Sequence, residues 1–155
     1  MFDRVNWDRV WEATQETVYM TTISVAITFV LGIILGLLLF LTSKGNLLQN
    51  KFFNSIIAAI VNIFRSIPFI ILIVLLIPVT RAMLGTIIGA NAALPALVVG
   101  AAPFYARMVE IGLREIDKGV IEAAKSMGAR TTTIIWKVLI PESMPAIVSG
   151  ITVTA

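Results

Sequence analysis

The longest polar interval of the sequence, residues 107–142, reads RMVEIGLREIDKGVIEAAKSMGARTTTIIWKVLIPE. A charge-free stretch, residues 82–106, precedes it, and an apolar stretch, residues 143–155, follows it. A polar interval between apolar stretches is where a membrane chain meets water and water-soluble partners. We therefore interpret residues 107–142 as a loop outside the bilayer and its flanks as membrane spans.

The composition of the 155-residue chain is typical of an integral membrane protein. Hydrophobic residues make up 58% and charged residues 14% of the chain, whereas soluble domains contain about 25% charged residues. Histidine and cysteine are both absent, which excludes disulfides, thiol nucleophiles, histidine-dependent triads and most zinc sites. We predict an all-α polytopic membrane bundle with no catalytic residue, metal site or cofactor of its own.

The N-terminal part of the chain is predicted to form an interfacial helix and then a span. Residues 1–17 contain two tryptophans spaced four residues apart, and tryptophan favours the membrane interface. Residues 17–43 carry no charge and exceed the roughly 20 residues that a span needs. Gly32 and Gly36 in this span have the small-xxx-small spacing that allows close helix packing.

Two further spans and part of another are predicted. Residues 52–80 form the second span, which we expect to end at Pro78 and Arg81. Residues 82–106 form the third, with a boundary or re-entrant segment near Gly85-Thr86 or Asn91. Residues 143–155 are too short to cross a bilayer. We therefore expect the chain to stop inside its fourth span.

The sequence Arg65-Ser66-Ile67-Pro68 interrupts the second span. An arginine at membrane depth is costly unless it faces protein, water or headgroups, and is therefore a functional candidate. Pro68 lacks an N–H and kinks or breaks the helix. Two interpretations remain open for Arg65, Ser66 and Pro68: they line a transport pathway, or they shape a helix bend.

The basic residues predict the orientation of the chain. Six lie in residues 107–142 and two, Lys44 and Lys51, in the loop after the first span. These loops lie on the same side of the predicted bundle, and the positive-inside rule assigns them to the cytoplasm. The N-terminus is then extracytoplasmic in a multi-pass membrane protein in contact with lipid. The residues assigned to the outside are Arg4, Arg9 and Arg81.

Helical spacing of apolar residues in the polar interval predicts two short helices, about 117–127 and 131–139. Asp117 is a candidate N-cap, because its carboxylate can accept bonds from the free amides of the first turn. Gly128 is able to adopt the left-handed conformation that ends a helix. We therefore place the junction of the two helices at Gly128.

The first short helix is the candidate contact surface for a soluble protein. Ala123 and Ala124 are small enough to let the helix lie flush against a partner, and Glu122 offers a directional contact to a basic or amide group. The chain contains no G-x-x-x-x-G-K-[ST] phosphate-binding sequence. The sequence therefore offers no phosphate-binding loop of this type.

The spacing of this interval resembles the EAA loop of bacterial ABC importer permeases. The pattern is Glu-Ala-Ala, three residues, Gly, nine residues, then aliphatic-x-aliphatic-Pro. Val and Ile stand at the two aliphatic positions, where the family more often has Ile and Leu. The matching residues are Glu122, Ala123, Ala124, Gly128, Val138, Ile140 and Pro141.

The resemblance extends beyond this loop. Arg65-Ser66-Ile67-Pro68 resembles the arginine-x-x-proline signature of amino-acid-type permeases, and residues 62–128 are similar to the methionine-type permeases of the family. The resemblance implies a type I permease fold of five helices in the bacterial inner membrane, with a cytoplasmic coupling helix. It also implies a permease homodimer, a separate ATPase subunit, a lipid-anchored methionine-binding protein outside the cell, and alternating access.

Three alternatives remain. A permease for another polar amino acid would have the same architecture. The spacing between Ala124 and Gly128 is also that of the turn in a helix-turn-helix DNA-binding protein. The connection between the second short helix and the next apolar run is too short for that helix to reach a major groove, so we expect no nucleic-acid partner. A membrane enzyme could use Arg65, Glu110 and Asp117, although salt bridges at the base of the loop explain these charges equally well.

Overall fold

The computed structural model describes residues 5–155, which fold into helices joined by short turns with no β-strand. Residues 1–4, with Arg4 and the start of the predicted interfacial helix, lie outside the described residues. The predicted all-α bundle is confirmed. Its elements are α1 (Trp7–Thr42), α2 (Lys51–Ser66), α3 (Phe69–Leu84), α4 (Ala90–Arg114), α5 (Lys118–Ser126), α6 (Thr131–Ile134), a π-helical turn (Ile135–Leu139) and α7 (Ile140–Thr154).

Helix α1 is continuous from Trp7 to Thr42, whereas the sequence predicts an interfacial helix and a separate span that meet at residue 17. No glycine or proline interrupts residues 7–31. The hydroxyls of Thr14 and Thr17 donate to the carbonyls of Val10 and Ala13, each at 2.7 Å, so polar side chains are accommodated within the helix. At 1.5 Å per residue α1 is about 54 Å long, which exceeds the roughly 30 Å hydrocarbon core.

The second predicted span is divided into α2 and α3, whose axes are bent by 111°. Ile67 is extended (φ −78°, ψ 123°), because the residue before a proline is disfavoured in the α conformation. The predicted interruption is confirmed. The predicted end at Pro78 and Arg81 is a few residues early: α3 continues to Leu84 and ends at Gly85, whose N–H donates to the carbonyl of Arg81.

The turn between α3 and α4 begins at Gly85, whose φ of +71° is left-handed, as the predicted boundary there requires. Helix α4 begins at Ala90 rather than at residue 82 and continues two turns beyond residue 106 to Arg114. The charges at its end do not stop it because Glu110 pairs within the helix with arginines three residues before and four residues after it. The predicted loop is correspondingly shorter.

The second short helix of the predicted loop does not end near residue 139. Helix α6, the π-helical turn and α7 run without a break as Thr131–Thr154. Pro141, which occupies the first turn of α7, has no N–H to donate to the carbonyl of the preceding turn. The wider π-helical turn before it carries the chain past this point, so no boundary exists at residue 142.

Close packing of α1 against α4 forms the centre of the bundle. Gly32 lies against the ring of Tyr105. A Cβ atom on Gly36 would lie 2.7 Å from Cβ of Val109 and 2.8 Å from the carbonyl oxygen of Ala106. The predicted packing role of the two glycines is confirmed, because a larger residue at either position would separate the helices.

Helix α7 completes this core, and α2 and α3 contribute little to it. The hydroxyl of Tyr105 donates to the carbonyl of Ile147 at 3.1 Å. Only two residues of α2 and two of α3 are buried. The main buried cluster draws on α1, α4, α5 and the helix Thr131–Thr154: Phe40, Leu41, Tyr105, Val109, Leu113, Ile121, Ala124, Ile134, Leu139 and Ile147.

Within residues 5–155, three helices are long and apolar enough to cross a membrane: Trp7–Thr42, Ala90–Arg114 and Thr131–Thr154. The α2–α3 pair passes the same test as one bent unit, either a broken span or a re-entrant segment. The architecture is therefore that of a multi-span bundle with α5 as a short helix between two of the spans.

Candidate functional site

Helix α5 begins at a cap provided by Asp117. Its carboxylate accepts a hydrogen bond from the N–H of Gly119 at 2.7 Å, which confirms the predicted N-cap. Such a bond satisfies one of the amides that a helix leaves free in its first turn. The start of α5 is therefore defined by local bonds rather than by packing.

The two faces of α5 differ in exposure. Ile121 and Ala124 are 8% and 5% exposed and belong to the buried core of the bundle. Glu122 and Ala123 are exposed, and so is Met127 on the next turn. This arrangement corrects the predicted role of Ala124, which attaches α5 to its own bundle because its small side chain fits the buried face, while Ala123 remains available at the surface.

The end of α5 is a Schellman turn. The N–H of Ala129 donates to the carbonyl of Ala124 at 3.1 Å, and the N–H of Gly128 donates to the carbonyl of Lys125 at 2.9 Å. Gly128 has φ +77°, so the predicted left-handed conformation is confirmed. This bonding pattern ties the end of the helix to the chain that leads into Thr131–Thr154.

A second polar segment lies beside α5. Gly45 and Asn46, in the loop after α1, share a small hollow with Lys118, Glu122 and Lys125. The two basic intervals that the charge pattern assigns to one side of the membrane are thus neighbours in the structure. Together they form an exposed polar surface at one end of the bundle.

Pro141 lies where the π-helical turn ends and α7 begins. The buried hydroxyl of Ser143 donates to the carbonyl of Leu139 at 2.6 Å, within the same turn. π-Helical turns are rare and are frequent at functional sites. Sequence reasoning did not find this turn, and the only signal for it is the missing N–H of Pro141.

A buried charge cluster lies at the end of α4 nearest to α5. The residue Glu110 is 3% exposed, and its carboxylate accepts hydrogen bonds from Arg107 and Arg114, the latter at 2.7 Å. Burial of a carboxylate is tolerated when it is paired and hydrogen-bonded in this way. The predicted salt bridges at the base of the loop are confirmed for Glu110, whereas Asp117 acts as a helix cap.

The break between α2 and α3 brings Arg65, Ser66 and Pro68 together. Ser66 donates its hydroxyl to the carbonyl of Asn62 at 2.8 Å, and Arg65 forms no ion pair with any residue in the range 5–155. An open cavity of about 550 Å³ lies at this break. Arg65 lines it, and the remaining lining residues are Phe64, Ile67, Phe69, Leu72, Leu97, Gly100, Ala101, Phe104, Val153 and Thr154.

The described part of the chain contains no candidate metal-binding site. Within residues 5–155 no three side chains of His, Cys, Asp or Glu lie close enough together to hold an ion. The candidate site is therefore a surface of polar contacts at α5 and a separate cavity at the α2–α3 break.

Comparison with known proteins relates this arrangement to membrane transport. Residues 29–155 match the family model described as "Binding-protein-dependent transport system inner membrane component". The chain is 75% identical over 154 residues to the "Methionine import system permease protein MetP" of Bacillus subtilis, covering 99% of this chain and 69% of that protein. It is 47% identical over 150 residues to the "Probable D-methionine transport system permease protein MetI" of Pasteurella multocida, covering 94% and 69%.

A solved structure has the same fold. A chain of the MetNI methionine ABC transporter, captured in inward-facing conformations, superposes with a TM-score of 0.94 at 48% identity. The superposition covers 99% of this chain and 71% of that chain. The chain thus spans about two thirds of the length of these relatives, and the similarity includes α5, the α2–α3 break and the central core.

Proposed function

The chain belongs to the family of inner-membrane components of binding-protein-dependent transport systems, and from this premise we propose that it is the membrane-spanning permease subunit of an ATP-driven methionine importer. The observation that carries the proposal is α5: its buried face is fixed to the bundle, while Glu122 and Ala123 are presented to solvent beside Gly128. Identity of 75% to a methionine import permease supports the substrate. The subunit is a translocation component and not itself an enzyme.

We assign ATP hydrolysis to a separate cytoplasmic ABC ATPase, in whose groove α5 docks. An exposed acid and a small neighbour suit a contact with a basic or amide group on such a surface. The coupling residues are Glu122, Ala123 and Gly128 at the surface, with Ala124 and Pro141 connecting them to the bundle. This assignment explains why a short polar helix is held so firmly at both ends.

The mechanism is alternating access driven through α5. Closure of the ATPase pair moves α5 of each permease in a homodimer, and the Schellman turn at Gly128 transmits the movement to the helix Thr131–Thr154. Because Ile121 and Ala124 belong to the same buried cluster as Tyr105, α4 moves with it. A packed bundle switches between two arrangements instead of deforming continuously.

The extracytoplasmic side of the subunit receives substrate from a lipid-anchored binding protein, and the N-terminus lies on this side. The family description, which names binding-protein-dependent transport, supports the first assignment. The adjacency of α5 and the Lys44–Asn46 loop supports the second, because both carry the basic residues that favour the cytoplasm. Arg65, Ser66 and Pro68 belong to the helix bend beside the substrate path.

A reconstituted full-length complex of permease, ATPase and binding protein tests the coupling role. We expect Glu122→Lys to lower uptake of labelled methionine about tenfold or more, relative to ATP hydrolysis, because it reverses the charge of the contact. Membrane insertion should not change, since Glu122 is exposed. Glu16→Lys, at an acid on α1 that is also exposed, is the matched control. Normal uptake by Glu122→Lys would count against coupling through α5.

A permease for another polar amino acid is the alternative within the same class. Competition of labelled methionine uptake by an excess of each unlabelled amino acid distinguishes the two. Methionine should compete most strongly. Stronger competition by a different amino acid would replace the proposed substrate and leave the coupling mechanism intact.

A further inference from the structure

We propose that the turn between α1 and α2, residues 43–50, is a second support of α5, and that Asn54 is the positioning residue that holds this turn in place. The proposal rests on the coupling role of α5 proposed above. It adds an element outside the polar interval to the part of the subunit that receives movement from the ATPase.

The turn satisfies carbonyls that α1 leaves free at its C-terminus. The last four carbonyls of a helix have no partner within it. Three of them accept hydrogen bonds from backbone N–H groups of the turn: Phe40 from Ser43 at 3.2 Å, Leu41 from Leu48 at 3.0 Å, and Thr42 from Asn50 at 3.0 Å. The chain that leaves α1 and the chain that enters α2 are thus bonded to each other, and the turn has a defined structure.

Asn54, in the first turn of α2, provides the partner for the fourth carbonyl. Its side-chain amide donates to the carbonyl of Leu39 at 2.8 Å and to the hydroxyl of Thr42 at 3.1 Å. An asparagine amide has two N–H donors, so each of these oxygens can receive one. Leu39 also packs with Ile57 and Val61 in a small buried cluster. One side chain of α2 thus ties the start of that helix to the end of α1.

The middle of the turn packs next to α5. Leu47 is half-buried against the main core cluster, which contains Phe40 of α1 and Ile121 of α5. These three residues line one hollow of about 40 Å³, which has room for little more than a water molecule. Glu122 of α5 lines the same hollow. The turn and α5 are therefore separated by almost no free space.

Helix α5 needs such a support because it is short. Isolated helices of fewer than about 12–15 residues are marginal in water, and α5 has nine. Its position is therefore set by the groups against which it packs. Core residues of α4 and of Thr131–Thr154 supply one part of this contact, and the turn supplies another. Since the turn is bonded to both α1 and α2, movement of α5 carries these helices with it.

Amide hydrogen exchange of the full-length transporter complex in nanodiscs measures this support, because exchange reports local opening. Asn54→Leu removes both donors at similar size, so we expect exchange to rise several-fold in the peptide 43–50 and also in 118–127. Exchange in 105–113, the core of α4, should not change. An increase confined to 43–50 would overturn the proposal, because the turn would loosen without releasing α5. An increase in all three peptides would indicate a general loss of packing and would overturn it as well.

Transport by the complex of permease, ATPase and binding protein in proteoliposomes provides the second readout. Asn54→Leu should lower methionine uptake per ATP hydrolysed about fivefold. Asn54→Gln keeps both donors on a longer side chain and should retain more of this ratio. Gln15→Leu removes an exposed amide at the other end of α1 and, as the matched control, should leave the ratio unchanged. A wild-type ratio in Asn54→Leu would overturn the positioning role of Asn54.

Leu47→Ala tests the contact with α5 even where Asn54→Leu does not assemble. It shortens the side chain that packs against the core cluster and leaves the hydrogen bonds of the turn in place. Exchange should therefore rise in 118–127 and stay unchanged in 43–50, and uptake per ATP hydrolysed should fall. Unchanged exchange in 118–127 would show that the turn does not support α5.

Failure of the proposed function would give different results. No methionine uptake by the wild-type complex would remove the methionine importer, and normal uptake by Glu122→Lys would remove the coupling role of α5. In either case the exchange measurements still decide whether the turn holds α5. Wild-type uptake per ATP hydrolysed in both Asn54→Leu and Leu47→Ala, together with a loss in Glu122→Lys, would remove this inference alone.

Discussion

The packed centre of the bundle and the exposed segment around α5 both depend on glycine, for opposite reasons. In the centre, Gly112 of α4 faces Ala146 of α7 so closely that an added Cβ would overlap with the Cβ of that alanine. At the end of α5, Gly128 has open space around it but a left-handed backbone, with φ +77°. Gly112 is required because a neighbouring helix leaves no room for a side chain, and Gly128 is required because its backbone is left-handed.

Substitutions of the two glycines should therefore have different effects: at Gly112 on the stability of the bundle, and at Gly128 on the transmission of movement from α5. A side chain added in the centre pushes two membrane helices apart, and its cost spreads through the core that contains Tyr105 and Ile147. A side chain added at Gly128 strains one turn and leaves the membrane helices in place. Three substitutions, in decreasing order of their expected effect on stability, test this distinction.

Gly112→Ala should have the largest effect. Overpacking a tight core contact costs about 1–3 kcal/mol, so we expect a lower midpoint of thermal unfolding for the full-length permease in nanodiscs. Ala146→Gly removes the opposing Cβ and should restore part of the loss in the double variant, although glycine in a helix itself costs about 1 kcal/mol. Losses that simply add in the double variant would show that the two positions do not oppose each other.

Gly128→Val should have a smaller effect on stability and a larger one on transport. A left-handed conformation costs an L-residue about 1–2 kcal/mol, and no atom lies within 4 Å of the new Cβ, so the strain stays local. Uptake of methionine should fall several-fold at an unchanged yield of assembled permease. Gly128→Asn, which tolerates the left-handed region better, should lose less. Equal transport by the two variants would refute the role of the backbone.

Tyr105→Phe should have the smallest effect. It removes the hydroxyl that donates to Ile147 but keeps the ring against Gly32, at a cost of about 0.6 kcal/mol for a hydrogen bond within a membrane bundle. Thermal unfolding in nanodiscs measures the loss. Tyr19→Phe is the matched control, because the bond from its hydroxyl to Asn91 (2.9 Å) is exposed. A larger loss for the control would contradict the expected order.

Local chemistry was the part of this structure that the sequence could predict. Asp117 and Gly128 are a cap and a left-handed residue because of their own side-chain properties, and Pro68 breaks a helix because it lacks an N–H. The predictions were wrong for helix ends that depend on contacts with other residues of the chain. Glu110 allows α4 to continue because two arginines pair with it, and Ala124 is buried because of contacts from other helices.

The candidate site divides in the same way. The surface residues Glu122 and Ala123 were found from their spacing, since an exposed helix face depends on local periodicity. The cavity at Arg65 depends on how α2, α3 and α7 lie relative to α4, and no local pattern encodes that arrangement. The π-helical turn has one local signal, the missing N–H of Pro141. Sequence reasoning therefore found the breaking residue Pro68 but not the space that the break creates.

The contact between α1 and α4 has a consequence for biosynthesis. Gly32 and Gly36 are synthesised roughly 70 residues before the surface of Tyr105 and Val109 against which they pack, which at about 5–20 residues per second is a delay of several seconds. During this delay α1 packs against α2 through the small buried cluster of Leu39, Ile57 and Val61, whereas its main partner α4 has not yet been synthesised. The order of synthesis thus differs from the order of packing, and the core of this subunit forms only after α2 and α3 have left the ribosome.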